Sequence, residues 1–270
     1  MSRLLIRADL RRGRGRVERV PLEATAERAG EIWRYVSFWA GTLSAGTRMP
    51  VAFAEGEACI VVLGGRCRLH SADLEREIGE RTDPFGGSPA SAYVPGGTTA
   101  TLTAVTDADI AIGVAPATGG PPSRTQSPEA ARREVRGSGT MERTIHHVLM
   151  EDQPATALLV TEVVTPAGHW SSYPPHKHDT DDPPRESQLE EIYYFRFRDE
   201  RGFGLMRVYT ADGGLDESIA VRDGDVVLVP RGYHTFSAAP GYEAYYLNVM
   251  AGPRREWKIT FDPDHERMRW

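Results

Sequence analysis

The chain has 270 residues, of which 40% are hydrophobic and 26% are charged, and its formal net charge is −6. This composition is ordinary for a globular protein, and the acidic balance argues against nucleic acid as a partner, because phosphate binding needs a basic surface. No apolar run approaches the ~18 residues of a membrane span, and the first ten residues, MSRLLIRADL, lack the features of a secretion signal. We therefore expect a cytoplasmic protein without a membrane partner.

The first half of the chain is dominated by short apolar runs that Gly, Pro and Asp interrupt. Examples are residues 58–70, 91–105 and 108–117, whereas helical spacing is limited to residues 23–36 and 127–135. Short strands at regular spacing are typical of a β-sandwich or barrel. Cys59 and Cys67 lie in or beside one apolar run, which predicts two buried thiols in a reducing compartment rather than a disulfide.

Residues 116–140 are rich in Pro, Gly and Ser, with predicted strands on both sides, and we interpret this stretch as a connection between domains. We predict a first domain over residues 1–120, a linker over 121–140 and a second domain over 141–270. The two halves have similar outlines. Residues 93–97, YVPGG, resemble residues 229–233, VPRGY, and each turn follows a β run, which indicates a duplicated β-barrel.

The second half carries a constellation that suits a metal ion. His176 and His178 are two residues apart, so on a strand both side chains point to one face. Glu191 and Tyr193 share one face of the next aromatic-rich strand, while Glu190 lies on the other face. His234 follows a tight Pro-Arg-Gly turn. Three imidazoles and one carboxylate suit Zn²⁺, Mn²⁺, Fe²⁺ or Ni²⁺, and these residue types do not choose among the four ions.

The order HxH, Glu and PxGxH resembles the paired motifs of the cupin superfamily. Longer stretches are similar to the 5-deoxy-glucuronate isomerase family of inositol catabolism, and the resemblance covers nearly the whole chain. The matching stretches are YPPHKHDTDDPPRESQLEEIYYFRF, VRDGDVVLVPRGYH and APGYEAYYLNVMAGP in the second half and LLIRADLRRGRGRV, CIVVLGGRC and YVPGGTTATLTA in the first.

This resemblance implies a mainly β bicupin, with two tandem jelly-roll-like β-barrels and a divalent metal in the second barrel only. The implied ligands are His176, His178, Glu191 and His234, with Glu191 preferred to Glu190. The first half agrees, because it has no HxH pair and no histidine after its PGG turn. The first barrel is then expected to serve folding and assembly; a vacant ligand pocket is the alternative.

The implied reaction converts 5-deoxy-D-glucuronate to 5-dehydro-2-deoxy-D-gluconate in myo-inositol catabolism. A Lewis-acidic metal would stabilise an enediolate while a base moves a proton from C2 to C1; a hydride shift is the alternative. Glu191 and Tyr193 are the candidate catalytic residues, although Tyr193 is also suited to aromatic packing. The substrate carboxylate needs a cation, and Arg207, Arg231 and Arg254 are candidates, although each by itself is better suited to a surface or an interface.

Two other functions remain open at this point: an Fe²⁺-dependent cupin dioxygenase, and a sugar-acid-binding cupin module. The expected partner is a small-molecule sugar-acid substrate, and we expect a homo-oligomer. His146 and His147 are expected in packing or an interface, although one could face the pocket, and His169 is expected at a strand end. Residues 179–182, DTDD, are expected to form an exposed lid edge, or alternatively to order the ligand loop.

Overall fold

The computed structural model describes residues 2–8, 17–20, 33–53 and 56–269, and the side chains of 17–20 and 52 are outside this description. The strands of the first half are β1 (Leu5–Ile6), β2 (Val17–Val20), β3 (Ser37–Leu43), β4 (Arg48–Ala52), β5 (Gly56–Gly64), β6 (Arg66–Ser71), β7 (Glu75–Gly79), β8 (Ala90–Val94), β9 (Thr99–Ala104), β10 (Ala108–Pro116) and β11 (Arg124–Gln126). Those of the second half are β12 (Arg132–Arg136), β13 (Arg143–Leu149), β14 (Leu159–Thr165), β15 (Trp170–Lys177), β16 (Glu190–Phe197), β17 (Phe203–Tyr209), β18 (Asp216–Arg222), β19 (Val226–Val229), β20 (Tyr233–Ala238), β21 (Ala244–Ala251) and β22 (Thr260–Phe261). Short 3₁₀ turns lie at Pro128–Ala130, Gly139–Met141 and Glu266–Met268.

The expected helix at residues 23–36 falls mainly outside the described residues, and its last residues, 33–36, are not helical. The expected helix at residues 127–135 is wrong. A 3₁₀ turn occupies Pro128–Ala130, and β12 then pairs with β13, with Val135 opposite Thr144. The edge of a sheet offers unpaired backbone groups, and pairing with them outweighs a weak helical preference. Within the described part of the chain, no helix combines the length and the apolar character that crossing a membrane requires.

The described strands form two tandem barrels. A six-stranded sheet, β11-β8-β5-β10-β3-β2, faces a four-stranded sheet, β4-β9-β6-β7, across one apolar core. A seven-stranded sheet, β1-β19-β16-β21-β14-β13-β12, faces a five-stranded sheet, β18-β17-β20-β15-β22, across a second core. The mainly β, two-barrel fold is therefore confirmed. Cys59 and Cys67 are both buried and free, as predicted.

A third apolar layer joins the two barrels, because the six- and seven-stranded sheets pack against each other. In this layer the ring of Phe38 on β3 lies 5.4 Å from that of Tyr194 on β16, measured between centroids. Each larger sheet is thus covered on both faces. All residues of β5 and of β16 are buried for this reason, and their sequences lack the alternation that a half-exposed strand shows.

The domain boundaries at residues 120 and 140 stay a prediction, but the strand pairing shows which strands cross them. β1 pairs with β19, with Leu5 opposite Val227, so a strand from the start of the chain lies in the second barrel. The predicted linker supplies one strand to each barrel, since β11 pairs with β8 and β12 pairs with β13. The connection is therefore built into both sheets.

The register of the strands relates the two halves position by position. The YVPGG turn follows β8 and the VPRGY turn follows β19, which makes Val94 equivalent to Val229. Val94 pairs with Ala58 on β5, and Val229 pairs with Glu191 on β16. Ala58 in the first barrel thus stands where Glu191 stands in the second. By the same alignment Thr99 occupies the position of His234, and its partner Ala52 that of His176.

A pair of equivalent glutamates joins the barrels, and we call it the reciprocal clasp. Glu57 on β5 accepts hydrogen bonds from the backbone amides of residues 156–158 in the second half, at 2.6–2.8 Å. Glu190 on β16 accepts hydrogen bonds from the amides of residues 34–36 in the first half, at 2.6–3.2 Å. Each carboxylate therefore satisfies three backbone donors of the other half, which are costly to leave unpaired when buried.

A buried ion pair adds a second link between the barrels. Arg81 of the first barrel donates two parallel hydrogen bonds, of 2.9 and 2.8 Å, to the carboxylate of Glu162 on β14. The hydroxyl of Tyr245 donates to Glu162 at 3.0 Å, and His146 Nδ1 lies 3.0 Å from it. Burial alone would raise the pKa of Glu162, but Arg81 and His146 lower it below its usual value of 4.5.

The lowered pKa of Glu162 predicts a pH dependence of stability. A carboxyl group with a folded pKa below its unfolded pKa stabilises the fold above the unfolded value, and this contribution disappears as pH falls through the folded pKa. The free energy of unfolding should therefore decrease below about pH 4.5, and less steeply in a Glu162→Gln variant. Denaturant titrations of both proteins between pH 3 and 7 measure this difference. Equal slopes in the two proteins would contradict the assignment.

Candidate metal centre and active-site cavity

Three histidines meet at one end of the second barrel. His176 on β15 pairs with His234 on β20, and His178 follows β15 directly. One nitrogen from each imidazole lies within 4.8 Å of the others. Oε2 of Glu191 on β16 lies 3.0 Å from His178 Nε2 and 3.1 Å from His234 Nε2. All four side chains are buried, so the predicted set is brought together in one place.

Backbone carbonyls fix how two of the imidazoles face the centre. His178 Nδ1 donates to the carbonyl of Leu189 at 3.0 Å, and His234 Nδ1 donates to the carbonyl of Gly232 at 3.2 Å. Such contacts set the tautomer and leave each Nε2 available as a metal ligand. His234 Nε2 is buried and makes no hydrogen bond, despite its nearness to Glu191. Coordination of a divalent ion would satisfy this atom, so the four residues fit a metal site.

The charges at the centre favour ligation. Burial of Glu191 alone would raise its pKa, yet the two adjoining imidazoles bring it down to about 2. Burial of His178 by itself lowers its pKa, but Glu191 outweighs this and raises it above 6.5. Burial, together with the other two histidines, holds the pKa of His176 well below 6.5. The set therefore presents one carboxylate and a histidine, His176, that stays neutral, which are the forms that bind metals, whereas His178 would release a proton when it binds an ion.

The acidic segment at residues 179–182 orders the ligand loop instead of forming a purely exposed lid edge. Asp179 Oδ2 accepts a hydrogen bond from the amide of Gly232 at 2.8 Å, and the carbonyl of that glycine holds His234. The ammonium group of Lys177 binds Asp179 at 2.6 Å and Glu186 at 2.7 Å. Asp179 thus connects the segment that carries His178 to the turn that positions His234.

Replacing Asp179 with alanine should weaken metal binding without removing a ligand. Loss of a group that orients a ligand typically lowers metal affinity by about 10- to 100-fold. We expect a change near the lower end, with activity restored at high metal concentration. Competition titration with a chelator measures the affinity. The matched control is Asp181→Ala, since Asp181 is exposed and its carboxylate forms an ion pair with the exposed Arg254, at 3.1 Å.

Beside the histidines lies a cavity of about 740 Å³, which is large enough for a sugar acid. His176 and Glu191 line one part of its wall. Further wall residues come from the inner face of the seven-stranded sheet and from the C-terminal segment; they include Thr161, Tyr193, Tyr246, Asn248, Trp257 and Phe261. A substrate in this cavity would contact the candidate metal centre at one end.

The arginines suggested by the sequence do not lie in this cavity. Arg207 forms an exposed ion pair with Asp216 at 2.8 Å, Arg254 contacts Asp181, and Arg231 is absent from the cavity wall. The wall instead contains Arg143, which is 4% exposed, together with Arg136, Arg185 and Arg269. Burial lowers the pKa of Arg143 to about 10, so the guanidinium is still charged at neutral pH. Arg143 begins β13, directly after the predicted linker, and it belongs to no motif that would have marked it as a cavity residue.

Tyr193 lies in the cavity wall, two residues beyond Glu191 on the same face of β16. Its hydroxyl is 2.9 Å from the hydroxyl of Ser172. Burial, followed by the charge of Glu191, raises the pKa of Tyr193 well above its usual value of 10.0. The phenol is therefore protonated at neutral pH and can donate a hydrogen bond into the cavity. It also packs on Tyr246, with ring centroids 5.0 Å apart.

Ser172 has a left-handed backbone conformation, with φ +49°, which is unusual for a residue other than glycine. It lies where the pairing of β15 with β20 shifts register between Ser171 and His176. Such irregularities often re-aim side chains beside active sites. Here the shift brings the Ser172 hydroxyl to Tyr193 and returns His176 to the register that faces His234.

The neighbouring histidines His146 and His147 face opposite sides of β13. His147 lines the cavity, whereas His146 contacts Glu162 at the junction of the barrels. The alternative in which one of the two faces the pocket is therefore confirmed. His169 Nδ1 donates to the carbonyl of Glu142 at 2.9 Å, close to the start of β15, as expected for a strand end.

Comparison with known proteins places the chain in a family. Residues 9–268 match the model of the KduI/IolB family. The chain is 48% identical to a 5-deoxy-glucuronate isomerase of Geobacillus kaustophilus, over 98% of this chain and 95% of the relative. It is 42% identical to a 5-deoxy-glucuronate isomerase of Bacillus subtilis strain 168, over 86% of this chain and 87% of the relative.

Solved structures agree with this placement. An IolB-like protein from Salmonella typhimurium LT2 has a TM-score of 0.92 and 41% identity, covering 98% of each chain. A Bacillus subtilis oxalate decarboxylase has a TM-score of 0.62 at 12% identity, covering 90% of this chain and 74% of that one, and this likeness concerns the fold alone. On the family match and the near full-length identity, the chain belongs to the KduI/IolB family.

Proposed function

We propose that this protein is a metal-dependent 5-deoxy-glucuronate isomerase, which converts 5-deoxy-D-glucuronate to 5-dehydro-2-deoxy-D-gluconate. The observation that carries the proposal is the buried set of three histidines and Glu191 opening onto a cavity of about 740 Å³. Two relatives with 48% and 47% identity are 5-deoxy-glucuronate isomerases, which supports this substrate. The product still has every atom of the substrate, so the reaction needs no oxidant and no second reactant.

We propose that His176, His178, Glu191 and His234 hold one divalent ion, which could be Zn²⁺, Mn²⁺, Fe²⁺ or Ni²⁺. When bound, the ion would supply Lewis acidity that polarises the substrate carbonyl group. Ala58 and Thr99 stand at two of the equivalent positions in the first barrel and offer no carboxylate or imidazole there. This supports a metal site in the second barrel only.

The reaction moves two hydrogens. The hydrogen on C2 goes to C1, and the hydroxyl proton on C2 goes to the oxygen of C1, so that the aldehyde becomes an alcohol and C2 becomes a ketone. We propose that Glu191, which lines the cavity, accepts the C2 proton and returns it to C1. A carboxylate with a pKa of about 2 is a weak base, so this role requires a C2 proton acidified by the adjoining carbonyl.

We propose that Tyr193 donates a hydrogen bond to a reacting oxygen. Its phenol is held in the protonated form by burial, and Ser172 fixes its direction. The hydroxyl groups of Tyr193 and Ser172 could also pass the proton between the two substrate oxygens. A direct hydride shift from C2 to C1 leads to the same product without a base on carbon.

Proton NMR of the metal-loaded protein with 5-deoxy-D-glucuronate in D₂O tests this function. We expect the C1 aldehyde or hemiacetal signal to disappear while a hydroxymethyl signal grows. Deuterium in the hydroxymethyl group would support proton transfer through Glu191, and its absence would support a hydride shift or a shielded proton. An unchanged spectrum with fully metal-loaded protein would overturn the proposed activity.

We further propose a cytoplasmic homo-oligomer. The two free, buried cysteines suit a reducing compartment. Trp170, Phe203 and Leu205, which are 41–53% exposed, lie together on the outer face of the five-stranded sheet. Trp170 and Leu205 both pair with Ser237, so they are neighbours across three strands. Sedimentation of the purified protein as a single 29.8 kDa species would contradict the oligomer.

A further inference from the structure

A row of polar side chains crosses the floor of the cavity, and we call it the polar row. Tyr193 on β16 pairs with Asn248 on β21, Asn248 pairs with Thr161 on β14, and Thr161 pairs with His147 on β13. All four residues line the cavity. Neighbouring strands lie about 4.8 Å apart, so the row extends over about 14 Å from the strand that carries Glu191.

Three members of the polar row have polar partners in the protein. The hydroxyl of Tyr193 contacts that of Ser172 at 2.9 Å. Both ring nitrogens of His147 are engaged, Nε2 by Glu134 at 3.1 Å and Nδ1 by Arg132 at 3.0 Å. The hydroxyl of Thr161 donates to Asn248 Oδ1 at 3.5 Å, which holds the carbonyl end of that amide.

Asn248 differs from these residues, because its Nδ2 is buried and forms no hydrogen bond of acceptable geometry among the described residues. The amide lies close enough to the Tyr193 hydroxyl to offset part of the rise in the pKa of that phenol, but this contact does not complete a hydrogen bond. The residue is only 5% exposed. Of the described cavity-lining residues, Asn248 alone has a buried side-chain nitrogen or oxygen without a hydrogen bond of acceptable geometry. Leaving such a donor unpaired costs about 1–3 kcal/mol, so an unpaired donor in a cavity wall indicates a bound partner that accepts its hydrogen bond.

We propose that Asn248 is a substrate-binding residue whose Nδ2 donates a hydrogen bond to a hydroxyl oxygen of the sugar acid, at a position beyond C2. C1 and C2 must lie at the Glu191 end of the cavity, where the chemistry takes place under the proposed function on which this inference rests. The polar row begins two residue pairs further along β16 and β21, on the same face as Glu191. A hydroxylated carbon chain leaving the reacting end would therefore pass Asn248.

This role makes Asn248 a determinant of specificity. A site that hydrogen-bonds a substrate hydroxyl discriminates against an analogue without it, because the buried protein donor is then left unpaired. Thr161 contributes by fixing which end of the amide faces the cavity. Among uronic acids, those with a hydroxyl at the matching carbon would be accepted and their deoxy analogues at that carbon would be rejected.

The experiment compares wild type with Asn248→Asp, which keeps the shape but removes the donor, and with Asn248→Ala. We expect kcat/KM to fall on the order of 10- to 100-fold in both variants, with unchanged metal content. Binding is measured separately by calorimetry with the borohydride-reduced substrate, an aldonic acid that cannot isomerise. The affinity of both variants for this compound should fall by a similar factor. The matched control is Thr165→Val, because the Thr165 hydroxyl is also buried and unpartnered but does not line the cavity.

Each outcome decides the inference. Kinetics and affinity within twofold of wild type in both Asn248 variants would overturn it, as would a loss of metal that accounts for the lost activity. Reduced affinity at full metal content, with Thr165→Val unchanged, would support it. If the wild-type protein binds the aldonic acid but does not isomerise the substrate, the proposed function alone is overturned. The affinities of the Asn248 variants for the aldonic acid would still decide the role of Asn248.

Discussion

A His178→Ala variant is expected to lose most of its bound metal and to retain less than about 1% of wild-type kcat. His178 Nε2 faces Glu191 at 3.0 Å, and its Nδ1 is anchored on the carbonyl of Leu189, so no neighbouring side chain can take its place. Loss of an outer partner of a ligand already costs about 10- to 100-fold, and loss of a ligand itself should cost more. Metal analysis of the dialysed protein and steady-state kinetics measure the two effects.

The matched control is His70→Ala in the first barrel, where the histidine side chain is 63% exposed. Its metal content and kcat should equal those of wild type. The circular dichroism spectrum of His178→Ala should be that of a folded β protein, because the two barrel cores do not depend on this side chain. Full activity in His178→Ala would show that the metal centre has been misplaced.

An Arg81→Met variant is expected to lose about 3–5 kcal/mol in the free energy of unfolding, the usual cost of breaking a buried ion pair by removing one partner. The side chain of Glu162 is 0% exposed, so its charge would remain inside the protein without its guanidinium. Only the contacts from Tyr245 and His146 would then stabilise the carboxylate. Urea denaturation monitored by tryptophan fluorescence measures the loss.

Arg207→Met is the control for this change, since the Arg207–Asp216 pair is about half exposed on both sides. Exposed pairs contribute about 0–1 kcal/mol, so the control should unfold close to wild type. Restoring neutrality in the double variant Arg81→Met, Glu162→Gln should recover part of the lost stability. An Arg81→Met protein as stable as the control would mean that the link between the barrels is not electrostatic.

Some of this structure could be predicted from the sequence because it depends on local rules. His176 and His178 share a face because they are two residues apart on a strand, and Glu190 and Glu191 point to opposite faces because they are adjacent. The turn before His234 is recognisable from its Pro and Gly. These features need only the residues within one strand or turn, and a resemblance to a family supplied the order in which they combine.

Other features depend on which strands become neighbours, and no local pattern contains that information. Arg143 and Asn248 reach the cavity because β13, β14 and β21 lie side by side in the order set by the fold. The helix expected at residues 127–135 failed for a similar reason, because β13 offers an edge with which β12 pairs. The candidate arginines from the matching segments lie outside the cavity wall, since similarity in sequence does not say which way a side chain points.

The reciprocal clasp has a consequence for how the protein could be shortened during evolution. A gene encoding only the second half would leave the amides of residues 156–158 without Glu57, and Glu190 without the amides of residues 34–36. It would also lose β1 from the edge of the seven-stranded sheet. A copy of the barrel with no carboxylate or imidazole at Ala58 and Thr99 therefore satisfies buried groups of the copy that carries Glu191 and His234, and its deletion would destabilise that second barrel.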